Sequence, residues 1–148
     1  KSYFCTKYID MQNKVNVAWT GNMAFEAEVN DFKIKLDADE RVGGQNTGPR
    51  PKALTLVSLG GCTGMDVVSI LAKMRVVPDY FNVEITGELT EEHPKIYDKI
   101  HVVYTFRGKD LPLAKLEKAV SLSQDKYCGV NAMLSKAAVV TNEIVIEE

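Results

Sequence analysis

The stretch from Pro51 to Met74 is the one long apolar run in this chain, and it carries a cysteine, Cys62, at its centre. It opens on proline, whose fixed φ suits a first helical turn, and closes near Lys73, a cation that complements the carboxyl end of a helix macrodipole. The run therefore predicts a helix. On a 3.6-residue period Thr55, Ser58, Cys62, Asp66 and Ser69 share one stripe, while leucines, valines and an isoleucine fill the other faces. The expectation is a buried helix whose only polar line bears a thiol. Gly60, Gly61 and Gly64 crowd that thiol, and each glycine inside a helix costs about 1 kcal/mol against alanine. Close approach of another backbone, a kink, or space for a ligand beside the sulfur would offset the cost. Free cysteine is also among the most buried residue types and is commonly inert packing, so the helix alone leaves both readings open.

At 148 residues and 45% hydrophobic, the chain can build one good core, and a single domain over 1–148 is expected. A net charge of −2, with both signs scattered, leaves no basic footprint for nucleic acid. Ala53 to Ala72 approaches the ~20 residues of a bilayer span. Its Asp66, hydroxyls and glycines fit a buried helix of a soluble protein better than a membrane segment. No secretory signal is visible, and three cysteines, an odd number, do not make a secreted disulfide framework. A reducing, cytoplasmic compartment is expected.

Before the helix, Val15, Val17 and Trp19, then Phe25, Ala27 and Val29, then Phe32, Ile34 and Leu36 recur at period two. Thr20-Gly21-Asn22 and Asn30-Asp31 supply turns between them, so a three-stranded antiparallel meander with one apolar face is expected. Cys5, in the preceding segment Tyr3 to Ile9, has no partner nearby in sequence and reads as structural or incidental. Ala38 to Arg50 is a glycine- and proline-bearing loop, a type of segment that often carries function, and it contributes Arg41 and Arg50.

After the helix, Phe81, Val83, Ile85 and Gly87 alternate. A turn at Glu91 to Pro94 leads to Ile100, Val102, Tyr104 and Phe106 on one face of a second hairpin. His93 and His101 read as a turn residue and a solvent-face strand residue. Asp110-Leu111-Pro112 opens a second helix, with Leu113, Leu116, Val120 and Ser123 or Gln124 at helical spacing as far as about Tyr127. Cys128 to Asn131 interrupts it, a short helix resumes over Ala132 to Ala137, and Val139 to Ile146 closes the chain as a strand. Cys128 thus lies at or just before a helix start, where unpaired amides and the macrodipole favour a thiolate.

Two cysteines on separate helices meet only through the fold. If they meet, peroxide reduction is open to them: one thiolate attacks the peroxide bond, becomes a sulfenic acid and is captured by the other as a disulfide. Cys62 is too deep in its helix to gain from the dipole, so an arginine would have to stabilise its thiolate. Asp66, one turn on, pushes the other way.

The segments Asn46-Thr47-Gly48-Pro49-Arg50-Pro51, Leu59-Gly60-Gly61-Cys62-Thr63-Gly64-Met65-Asp66-Val67-Val68 and Lys126-Tyr127-Cys128-Gly129-Val130-Asn131-Ala132-Met133 resemble the OsmC/Ohr family of osmotically inducible and organic hydroperoxide resistance proteins. The text around Cys62 looks most like its OsmC-like branch. The resemblance implies an α+β fold: antiparallel sheets from the meander, the hairpin and the final strand, wrapped around two long helices in an intertwined homodimer. It implies that Cys62 is the peroxidatic and Cys128 the resolving cysteine. It also implies an activating loop arginine, Arg41 or its rival Arg50, and an external dithiol that regenerates the pair, with no cofactor. Two departures stand out. Lys52 occupies the place of the glutamate that holds the arginine in the peroxidases, and Gly129 follows Cys128 where proline is common. An alternative of another class is a non-catalytic protein that binds a small apolar ligand or senses redox state. No close ligand spacing supports zinc held by Cys62, Cys128 and a histidine.

Overall fold

The computed structural model describes residues 12–147, so Cys5 and the segment Tyr3 to Ile9 lie outside the described residues. The described chain forms two compact units that meet in sequence at Pro51 and Lys52.

In the first unit β1 (Asn16–Gly21), β2 (Ala24–Val29) and β3 (Phe32–Leu36) form the antiparallel meander expected from the period-two pattern. The register aligns Val17 with Ala27 and Ala27 with Ile34, and Trp19 with Phe25 and Phe25 with Leu36, which gathers the apolar residues on one face. Both turns use left-handed backbone where the sequence offers glycine, asparagine or aspartate: Gly21 and Asn22, then Asn30 and Asp31.

The loop that follows is organised by a carboxylate. Asp37, 2% exposed, accepts from the N–H groups of Ala38, Gln45 and Thr47 and from the Thr47 hydroxyl. These bonds, led by the Thr47 N–H, lower its pKa to about 2. Asp39 caps a single 3₁₀ turn (Glu40–Val42) by accepting from the Arg41 N–H.

The second unit is built on α1 (Pro51–Lys73), β4 (Tyr80–Leu89), β5 (Tyr97–Arg107), α2 (Leu113–Leu122), α3 (Gly129–Leu134) and β6 (Val139–Glu147). Its core joins Leu59, Val67, Ile70 and Leu71 of α1 to Ile100, Val102, Tyr104 and Phe106 of β5 and to Leu116, Ala119 and Val120 of α2. The expected apolar faces of β5 and α2 are buried, except that Leu113 at the start of α2 is exposed, and Phe81, Val83 and Ile85 of β4 are half-buried against them.

Three features differ from the sequence reading. The α+β class holds, but β6 pairs parallel to β5, Lys99 opposite Val139 through Arg107 opposite Glu147, so this sheet is mixed. The α2–α3 crossover returns the chain in the same direction, which a short turn cannot do. The second helix reaches Tyr127, as expected, but not as a regular α-helix throughout: α2 has ten residues and continues as a five-residue π-helical turn, closed by the Cys128 N–H on the Ser123 carbonyl at 2.7 Å. Nor is α1 buried all round, since Val57, Met65 and Val68 are exposed at helical spacing beside the polar stripe.

The glycines of α1 resolve individually. A Cβ on Gly60 would stand 3.1 Å from Ile85 Cδ1 of β4, whereas Gly61 faces open space. Close packing by a strand's side chains explains the first glycine. By length and apolarity α1 passes as a bilayer span, but its Thr63 and Asp66 are hydrogen-bonded to groups of β5 and the π turn.

Candidate functional site

Cys62 sits in the middle of α1, half-buried, and Asp66 follows one turn later on the same face. Cys128 is 2% exposed and is the residue that caps α3, its sulfur accepting from the Asn131 N–H at 3.3 Å. The fold brings these together: the two sulfurs and a carboxylate oxygen of Asp66 all lie within 4.8 Å of one another. The two cysteines, 66 residues apart in sequence, are therefore neighbours in space.

The Asn131 and Val130 N–H groups at the start of α3 favour a Cys128 thiolate, but burial outweighs them. Burial pushes the Cys128 thiol up to about 11, and neighbouring Cys62 adds to the rise.

Behind the thiols runs a chain of buried polar groups that the polar stripe did not reveal. The Ser123 hydroxyl donates to Asp66 Oδ2 at 3.0 Å. Thr63 Oγ1 lies 2.9 Å from Ser123 Oγ and 2.7 Å from the Tyr104 hydroxyl, and Gln124 Nε2 donates to that hydroxyl at 3.3 Å. With Asp66 a carboxylate, hydrogen counting fixes the direction. Ser123 spends its one hydrogen on Asp66, so Thr63 donates to Ser123, Tyr104 to Thr63, and Gln124 to Tyr104. Every dipole in the chain points toward Asp66. The π turn makes this possible by placing Ser123 and Gln124 of adjacent positions on one network. A signal existed in the sequence, since Ser123 follows Leu116 and Val120 at core-facing spacing and a buried hydroxyl demands a partner.

Within the first unit the predicted arginines converge on Asp39. Arg41 Nε donates to Asp39 Oδ1 at 2.8 Å from a side chain that is 88% exposed. Arg50 reaches Asp39 Oδ2 at 3.4 Å, Asn46 Oδ1 at 2.7 Å and the Gly48 carbonyl at 2.8 Å. The two guanidinium groups, Arg41 foremost, hold the Asp39 carboxyl well below the usual carboxylate range. Both arginines also line a cavity of about 520 Å³ with Met23, Phe25, Leu36 and Val42. Lys52 donates instead to the Lys95 carbonyl at 2.7 Å. His101 lies 2.8 Å from Thr141 Oγ1 and 3.4 Å from a Glu143 oxygen on the outer sheet face, the solvent-face place expected of it.

A second groove, about 430 Å³, runs along α1 against β4, lined by Leu56, Gly60, Gly61, Phe81, Val83 and Ile85. Its lining is mostly apolar, with Asn82 as the polar member.

Residues 44–143 match the family described as OsmC-like protein. Protein YhfA of Escherichia coli K12 is 34% identical over 130 residues, which is 87% of this chain and 94% of YhfA. A solved structure from Aquifex aeolicus VF5 superposes with a TM-score of 0.78 at 32% identity, covering 93% of this chain and 98% of the other. An organic hydroperoxide resistance protein OsmC of Legionella pneumophila shares the fold with a TM-score of 0.69 at 12% identity, covering 90% and 96%. The family match over most of the chain and the likeness to YhfA agree with the paired cysteine motifs: this chain belongs to the OsmC-like protein family.

Proposed function

We propose that the protein is a thiol-dependent peroxidase of the cytosol, acting as a homodimer of one OsmC-like domain per chain on organic peroxides, with hydrogen peroxide as a second substrate. The observation that carries this reading is the approach of a half-buried Cys62 and a buried Cys128 to within 4.8 Å. Cys62 is the accessible sulfur and attacks. Its thiolate displaces the alkoxide from the peroxide bond; the alkoxide takes a proton and leaves as an alcohol, and Cys62 becomes a sulfenic acid. The Cys128 sulfur then attacks the sulfenic sulfur, water leaves, and the Cys62–Cys128 disulfide forms. An external dithiol reduces that disulfide by exchange and is itself oxidised.

The asymmetry of the pair supports the division of roles. A thiol held up to about 11 stays protonated near neutrality and waits, which suits a resolving cysteine better than an attacking one. Arg41 or Arg50 is the activating cation in this reading, and Asp39 takes the part of the missing glutamate, since it is the carboxylate that pairs with both. The mostly apolar groove along α1 offers a wall for an organic substrate. Family neighbours named as organic hydroperoxide resistance proteins support the substrate class.

The same groove favours one second reading, a non-catalytic protein that holds a small apolar ligand or senses redox state. Thiol stoichiometry separates the two. One equivalent of cumene hydroperoxide at neutral pH, with hydrogen peroxide in parallel, is expected to consume two thiols per chain rapidly and to leave a disulfide joining Cys62 and Cys128 on peptide mapping. Cys62→Ser should abolish steady-state consumption, and Cys128→Ser should trap a sulfenic acid after one turnover. Survival of both thiols for hours, or unchanged consumption in the Cys62 variant, overturns the peroxidase.

A further inference from the structure

We propose that Cys62, Asp66 and Cys128 together form a zinc site, with the two sulfurs and one carboxylate oxygen as protein ligands and the fourth position open to water. The inference does not rest on peroxide chemistry, because it needs only the reduced thiols.

The donor set is the first argument. Two thiolates with one carboxylate suit a borderline-soft, tetrahedral dication, and three protein ligands plus an open position is a common zinc arrangement. Ligand atoms around tetrahedral zinc lie roughly 3.5–4 Å apart, given Zn–S bonds of about 2.3 Å. The three atoms here already lie within 4.8 Å of one another, so small side-chain rotations close the set.

The surroundings are the second argument. Ligands are held in place by outer hydrogen bonds, and both kinds are present: Ser123 donates to Asp66 Oδ2, and the Asn131 N–H donates to Cys128 Sγ. The whole hydroxyl chain from Gln124 through Tyr104 and Thr63 terminates on Asp66 and fixes its carboxylate.

The third argument is an orphan. Asn131 is 9% exposed; its Nδ2 donates to the Gln124 carbonyl, yet its Oδ1 is the one buried side-chain polar atom among the described residues with no hydrogen-bond partner. It belongs to the residue whose backbone already contacts Cys128. A metal-bound water supplies the kind of donor that this acceptor lacks.

Binding breaks two S–H bonds, forms two Zn–S bonds and releases two protons to water, with no change of oxidation state. It also occupies the sulfur lone pairs that a peroxide or a disulfide would use. Zinc and oxidation therefore compete for one pair of thiols.

The test uses the full chain, reduced and stripped with a chelator, and titrated with Co²⁺ alone and then with Zn²⁺. One Co²⁺ per chain is expected, with sulfur-to-cobalt charge-transfer absorption and tetrahedral d–d bands, both lost when Zn²⁺ displaces it. Zn²⁺ should also protect both thiols from alkylation in the unaltered protein. Cys62→Ser and Cys128→Ser should each weaken the charge-transfer band. Asp66→Asn should lower zinc affinity by at least about tenfold, and Asp66→Glu should restore part of it. Octahedral cobalt without sulfur charge transfer, unprotected thiols, or undiminished affinity in a folded Asp66→Asn protein overturns the site. Peroxide consumption by the chelated protein, measured separately, reads the peroxidase alone: consumption without metal binding sinks only the zinc site, and metal binding without consumption sinks only the peroxidase.

Discussion

Thr63 brings one hydroxyl into a place without water, at 0% exposure, and that hydroxyl is shared by Tyr104 and Ser123. Replacing it by valine keeps the shape and removes the acceptor for the Tyr104 proton. Thr63→Val is therefore expected to cost about 1–3 kcal/mol, read as a lower urea midpoint at unchanged slope. Adding Tyr104→Phe removes the stranded donor as well, so the double variant should lose less than the two single losses combined. Full additivity would show that the two hydroxyls do not depend on each other. At this scale the sequence was partly readable. Cys62, Asp66 and Cys128 stood out by residue type and position. Thr63 and Tyr104 did not, because each lies among apolar neighbours on its own element, and only the crossing of α1 with β5 makes them partners. The place of Arg41 and Arg50 was likewise hidden, since Asp39 that binds both is an ordinary loop acid by sequence.

Among the elements, periodicity located the strands and helices well and said little about their direction. The pattern Val140, Asn142, Ile144, Ile146 marks a face of β6, and that face is identical for parallel and antiparallel pairing. The crossover through α2 and α3 decides it. The loop from Ala38 to Arg50 carried turn chemistry in its sequence but gave no sign that a single buried carboxylate gathers it. That carboxylate makes the loop sensitive to acid. The folded pKa of Asp37, about 2, lies below the ordinary 3.8, so the ionised form is favoured by folding. Its stabilising contribution is fully present above the ordinary value and is lost as pH falls through about 4 toward 2. Hydrogen exchange at the Gln45 and Thr47 amides, which Asp37 holds, is expected to lose protection across that window. In Asp37→Asn, protection should be low already at neutral pH and should not fall further with acid. Equal acid sensitivity in both proteins would assign the loop's order to other groups.

For the whole molecule, the exposed face of α1 asks what covers it. Val57, Met65 and Val68 are 65%, 76% and 53% exposed, and with Gly61 between them they make an apolar stripe down a 23-residue helix. The sequence predicts a helix buried on every apolar face, and within one chain α1 is not. Hydrophobic stripes of this length on a soluble protein usually mark an association surface. The homodimer proposed above places a second copy there, which would reconcile the all-round apolar sequence with the one-sided burial seen in a single chain. Val68→Glu tests it, because a carboxylate inside an apolar interface pays desolvation without a partner, while on an open helix face it costs almost nothing. Sedimentation is expected to show a dimer for the unaltered chain and at least a tenfold weaker dimer for Val68→Glu, with helix content by circular dichroism unchanged. A dimer of equal affinity in the variant would move the interface off α1. A monomer in both proteins would leave the stripe to another partner and would remove the dimer from the functional reading.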